Sequence, residues 1–157
     1  MEFEKLVKKC GFGLAVVLLW PKLSKDKEFI NKLNFDQWIQ IYNVSFSDSK
    51  LNFLALEKIR EVAKNFDEWL EVYNVSFSDS ELEHLALQKM REVAKNFDEW
   101  LEVYNQAPSD SDLKELAFQK MREVAKNFDE WLEVYNQAPS DSQLQHLAFQ
   151  KMSEIVN

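Results

Sequence analysis

The chain has little glycine and proline, two and three residues of 157. Tight turns between antiparallel strands draw heavily on glycine, so this shortage excludes a hairpin-rich sheet and points to an all-α fold. A single cysteine, Cys10, excludes an internal disulfide framework and any multi-cysteine metal site. That usage fits a reducing, cytoplasmic setting. Histidine is also scarce. His84 and His146 stand at the same position of units two repeats apart, and at roughly 8–10 Å per packed helical layer they are too distant to share a metal. There is no glycine-rich phosphate loop, and neither histidine has a nucleophile or catalytic motif beside it. The expectation is a non-enzyme without metal or cofactor. The longest apolar run, Phe12 to Trp20, falls well short of the ~20 residues that a membrane-spanning helix needs.

What the chain has is repetition. REVAKNFDEWLEVYN occurs unchanged at residues 60–74, 91–105 and 122–136, with a looser copy around Asn34 to Asn43, and Trp38, Trp69, Trp100 and Trp131 mark a strict period of 31. A fixed period of this size predicts tandem helical units, each burying its apolar face against its neighbours. Residues 34–157 therefore read as four αα-hairpin repeats stacked as an α-solenoid, and residues 1–33 as a helical N-terminal cap. Charge divides along the same line. The leader holds seven lysines against four acids, so the formal −8 of the chain leaves −11 on residues 34–157. Acidic repeats repel a phosphate backbone, which weighs against nucleic acid as a partner.

In the leader, the sequence predicts a helix broken at Pro21, then a short helix from about Lys25 to Leu33 capped by Ser24, with Trp20 and the leucines in the core. Residues 1–23 acting as an export signal are the rival reading, because Lys5, Lys8 and Lys9 precede the apolar run. Glu2, Glu4 and the sequence WPKLSKD, where small residues should mark cleavage, argue against it.

Within a unit, Phe66, Trp69, Leu70 and Tyr73 recur at i, i+3, i+4 and i+7, which predicts a short first helix from about Phe66 to Asn74. Asn65 with Glu68, Asn96 with Glu99 and Asn127 with Glu130 resemble capping pairs. The same asparagines could also end the preceding helix in the left-handed conformation. Ser78, Ser109 and Ser140 are the expected caps of the longer second helix. In it, Leu82, Leu85, Ala86, Met90, Val93, Ala94 and Phe97 trace the apolar stripe, while Leu87, and Phe118 and Phe149 at its position in later units, widen it toward the next unit.

The first-helix spacing is similar to the W, L, G, Y spacing of tetratricopeptide repeats. That resemblance covers roughly residues 34–157, with Leu70 at the family's glycine position, no proline closing the second helix, and a period of 31 where the family has 34. It implies a right-handed array of antiparallel helix pairs with a groove that binds peptides or partner proteins. No carboxylate-clamp residue of the family carries over, since the corresponding faces here are acidic.

The tryptophans could stack on nucleobases, but their place on the apolar stripe assigns them to the core. Asp67, Glu68 and Glu71, repeated in each unit, could gather a basic ligand; acids in a helix's first turn also stabilise its positive end, which is the simpler role. The units differ most where the longer helix begins: Lys50, Asn52 and Phe53; Glu81, Glu83 and His84; Asp112, Lys114 and Glu115; Gln143, Gln145 and His146. A constant core with variable polar positions is what a partner-reading strip looks like. Drift on an exposed face gives the same pattern and is the more economical account of it. The leading functional reading is a non-catalytic interaction module for a peptide or protein partner, preferably basic; the alternative is a structural spacer or self-associating building block, and nucleic-acid binding ranks third. Phe149, Met152 and Ile155 keep the apolar pattern in the last unit and are candidates for a homodimer contact.

Overall fold

A computed structural model of the chain describes every residue except Met1, Phe77 and Ser78. The described residues are all-α, with eleven helices and no strand. They are α1 Glu2–Cys10, α2 Phe12–Leu23, α3 Lys27–Lys32, α4 Phe35–Val44, α5 Lys50–Val62, α6 Phe66–Val75, α7 Ser80–Val93, α8 Phe97–Gln106, α9 Asp112–Val124, α10 Phe128–Gln137 and α11 Gln143–Val156. None is long and apolar enough to cross a membrane. Contacts divide the chain into two compact units, Met1–Lys64 and Asn65–Asn157.

In the first unit, α1 packs on α2, α2 on α4, and α4 on α5. The scarce glycines each serve one purpose here. Gly11 separates α1 from α2 with φ 85, a value that L side chains rarely adopt. Gly13 lets α2 approach α4, since a Cβ there would run into the backbone of Gln40 and meet a Val44 methyl at 3.0 Å. The break expected at Pro21 therefore lies at Gly11 instead. Pro21 sits inside α2, where the helix runs only two residues past it, so its missing N–H costs a single hydrogen bond near the helix end. Asp26, not Ser24, caps the short third helix, accepting from the Phe29 amide at 3.0 Å. The leader's core differs from expectation too: Gly13, Ala15 and Val16 are buried on α2, whereas Leu14 and Leu18 are exposed and Trp20 is half-buried. Small residues face α4 because the two backbones come close.

The second unit is three hairpins, α6–α7, α8–α9 and α10–α11, with α7 touching α8 and α9 touching α10. Trp38, Trp69, Trp100 and Trp131 are all buried, as the periodic stripe predicts. Their buried companions on the second unit's first helices are Val72, Val103 and Val134, which the i, i+3, i+4, i+7 reading missed; Leu70 and Tyr73 are only half-buried. α8 and α10, each pressed on one side by its hairpin partner and on another by the preceding hairpin of the same unit, bury a wider arc than one stripe.

The asparagine caps form as expected. Asn65, Asn96 and Asn127 accept from the amides of Glu68, Glu99 and Glu130, each at 2.9 Å. They do not end the preceding helices in the left-handed conformation, because Ala63, Ala94 and Ala125 close those helices in extended geometry and the asparagines are extended as well. The serine caps are displaced. Ser111 and Ser142, not Ser109 and Ser140, cap α9 and α11, because a turn from Pro108 to Ser111 and another from Pro139 to Ser142 takes up the intervening residues. Asp110 and Asp141 carry those turns with φ 59 and 57, a conformation that aspartate tolerates better than most residues. Ser78 lies outside the described residues, and α7 is capped by Asp79.

Candidate partner-binding surface

Each hairpin places a tyrosine near the end of its first helix and, ten residues on across the loop, a variable polar residue at the start of its second: Tyr42 and Asn52, Tyr73 and Glu83, Tyr104 and Lys114, Tyr135 and Gln145. The tyrosine is constant and half-buried, while its neighbour changes character. In the α4–α5 hairpin, Asn52 is itself buried and its Nδ2 donates to the Tyr42 carbonyl at 3.2 Å and the Ser45 hydroxyl at 2.9 Å. It ties the loop to the helix, and so leaves the variable strip to join the structural core. Around Tyr73, burial first, and then the carboxylates of Glu83 and Glu102, push the phenol pKa above its ordinary value. In the next hairpin Lys114 holds its Nζ 4.4 Å from the centre of the Tyr104 ring, a cation–π contact, and Tyr104 in turn packs on Phe118 with centroids 5.6 Å apart. Gln145 turns toward its own loop and accepts from the Asp141 amide at 2.9 Å.

Glu81, Glu83, His84, Asp112, Glu115, Gln143 and His146 are exposed, and Lys114 and Gln145 are half-buried. The structure does not gather them into one cleft. Lys114 and Glu115 share a depression of about 560 Å³ with Tyr104, Phe118, Gln137 and Pro139. His84 lies in a smaller one, about 300 Å³, with Leu87, Arg91 and Leu113, and Gln143 in one of about 500 Å³ with Arg122, Leu144 and Leu147. The last two are related by the repeat, since Arg122 and Leu144 stand one period after Arg91 and Leu113. Successive second helices thus leave a recurring apolar hollow walled by arginine. The contact of Lys114 with Tyr104 was not read from the sequence; the ten-residue offset from tyrosine to variable position was the available signal.

The first-turn acids are partly committed to capping. The carboxylates of Glu99 and Glu130 accept from the amides of Lys95 and Lys126, one residue before the asparagine cap, while Asp67, Asp98 and Asp129 are exposed. Cys10 is half-buried, its thiol donating to the Leu6 carbonyl at 3.2 Å. Among the described residues no three His, Cys, Asp or Glu side chains are grouped to hold a metal ion. Of the self-association candidates, Phe149 and Ile155 are exposed, but Met152 is 7% exposed. Met152 belongs to the core of its hairpin because it continues the stripe occupied by Met90 and Met121, which are fully buried. No family model, curated protein or solved structure matches the chain.

Proposed function

We propose that the chain is a non-catalytic helical-repeat interaction module, its hairpins stacked in the manner of an α-solenoid and similar to tetratricopeptide repeats, that binds a basic peptide or protein segment along the variable strip. The observation that carries this reading is a half-buried tyrosine that recurs ten residues before a position whose residue differs in each hairpin, with the Lys114 ammonium over the Tyr104 ring. Tyrosine is among the residue types enriched at interfaces, which supports a reading role for the positions beside it. The excess of acid over base on residues 34–157 favours a basic segment and disfavours nucleic acid.

A pull-down from native lysate at low and high salt tests this, with the wild-type chain beside one carrying Glu81→Lys, Glu83→Lys, Asp112→Lys and Glu115→Lys. The expected result is a partner retained by the wild type at low salt, released at high salt and missing from the reversed chain. Equal retention by both chains contradicts the reading. A spacer or self-associating building block is the second reading, and what supports it is the exposure of large apolar side chains such as Phe46, Phe53 and Phe149.

A further inference from the structure

The two hollows between successive second helices hold no acid. The chain carries 27 acids against 19 lysines and arginines, yet the depression of about 500 Å³ beside Arg122 is lined otherwise by Pro139, Ser142, Gln143, Leu144 and Leu147. Its smaller counterpart one repeat earlier holds Arg91 and likewise no carboxylate. Gln143 stands where the two preceding hairpins have Glu81 and Asp112, so a position that is acidic elsewhere is neutral beside Arg122.

Arg122 is also held differently from Arg91. Arg91 is exposed, whereas Arg122 is half-buried, and its Nε is shut off from water without a hydrogen-bond partner among the described residues. Its guanidinium carbon lies 5.7 Å from the centre of the Phe118 ring, one turn back on α9, and Tyr104 packs on that ring from α8. The aromatic pair backs the cation at the wall of the hollow. Lys89, Lys120 and Lys151 each pair with a glutamate three residues on, but none of the ion pairs among the described residues includes Arg122. A partly desolvated cation with neither acid nor acceptor carries a cost that an anion entering the hollow offsets.

We propose that this hollow binds a medium-chain aliphatic monocarboxylate, with the carboxylate on the Arg122 guanidinium and the hydrocarbon along Pro139, Leu144 and Leu147. A guanidinium presents paired N–H groups that match a planar carboxylate, and a single cation balances a single negative charge, which disfavours a phosphate. The rest of the lining favours a ligand with no further polar groups. The Ser142 hydroxyl is engaged as the cap of α11, accepting from the Gln145 amide at 3.1 Å. Only the Gln143 side chain remains to serve a peptide backbone, whose buried N–H and C=O groups each need a partner. No acid of the variable strip lines the hollow, so the site stands or falls apart from the recruitment of a basic segment.

Titration of the isotope-labelled full chain with octanoate, followed by nuclear magnetic resonance at the Arg122 Nε–H and the Leu144 and Leu147 amides, is the test. Saturable shifts at all three are expected. Acetate, which lacks the chain, and octanol, which lacks the charge, should each bind at least ~10-fold more weakly than octanoate. Arg122→Gln and Gln143→Glu, with helicity checked by circular dichroism, should each weaken octanoate binding at least ~10-fold. The second does so by placing a carboxylate in the hollow while the guanidinium stays, and Arg91→Gln should leave binding unchanged. No saturable shift with octanoate overturns the proposal, as does octanol binding equally well or Gln143→Glu keeping wild-type affinity. So does tighter binding of inorganic phosphate, or of N-acetyl-leucine as a stand-in for a peptide terminus.

Discussion

Lys114 lies with its ammonium 4.4 Å from the centre of the Tyr104 ring, and one repeat earlier the residue in its place, Glu83, is one of the carboxylates that, after burial, raise the pKa of Tyr73. Two hairpins with the same core therefore offer opposite charge beside the same phenol. For Tyr73 the consequence can be titrated. Its raised pKa means that the folded chain holds the phenol proton more tightly than the unfolded chain, so this contribution to stability is whole below the ordinary value of 10.0 and is lost as pH rises through the higher folded value. Phenolate absorbance should show Tyr73 titrating earlier in Glu83→Lys than in the wild type; an unchanged titration would mean that the carboxylate does not act on the phenol.

Trp100→Ala should cost about 3–5 kcal/mol, the usual range for emptying a buried aromatic site. Hydrogen exchange should show the adjoining hairpins loosening with it, because each unit is stabilised by its neighbours. An unfolding midpoint equal to that of the wild type would contradict the packing described for α8.

The cap assignment separates two serines that look alike in sequence. Ser111→Ala should cost about 0.5–2 kcal/mol, because the Ser111 hydroxyl accepts from the Lys114 amide, while Ser109→Ala should fall within about 0.5 kcal/mol of wild type, as surface changes do. Chemical denaturation of both variants decides between them.

Repetition made the hairpins legible. A 31-residue period locates the four tryptophans Trp38, Trp69, Trp100 and Trp131 and the capping asparagines, since both depend on local spacing along a helix. The displaced serine caps were not legible, because Ser109 and Ser111 both precede an acid by a short interval, and only the turn with Asp110 at positive φ chooses between them. The leader was least legible. It has no second copy to compare, and the role of Gly13 arises from the approach of α2 to α4 while that of Gly11 arises from its positive φ between α1 and α2. On the candidate surface, the variable positions could be read as a strip, but Asn52 looked like its neighbours until its side-chain hydrogen bonds placed it in the core.

That close approach makes its own prediction. Gly13→Ala should destabilise the first unit by about 1–3 kcal/mol, the range for overpacking a tight contact, since the obstacle is the Gln40 backbone, which cannot rotate away. Thermal unfolding of this variant beside Ala15→Gly, which removes a buried methyl from the same helix, would show whether both volumes are specified.

In the proposed function, acids on the variable strip, and not the chain's net charge, recruit a basic partner. The most direct measurement is fluorescence anisotropy of a labelled peptide rich in lysine and arginine, titrated across a salt series with three chains of verified helicity. One is the wild type, the second carries Glu81→Lys, Glu83→Lys and Glu115→Lys on the strip, and the third carries Asp67→Lys, Asp98→Lys and Asp129→Lys, an equal charge change off the strip. The wild type should bind saturably and more weakly as salt rises, the strip variant at least ~10-fold more weakly, and the third chain with a much smaller loss. Equal affinity for the second and third chains, or no saturable binding by the wild type at low salt, would contradict the proposed function.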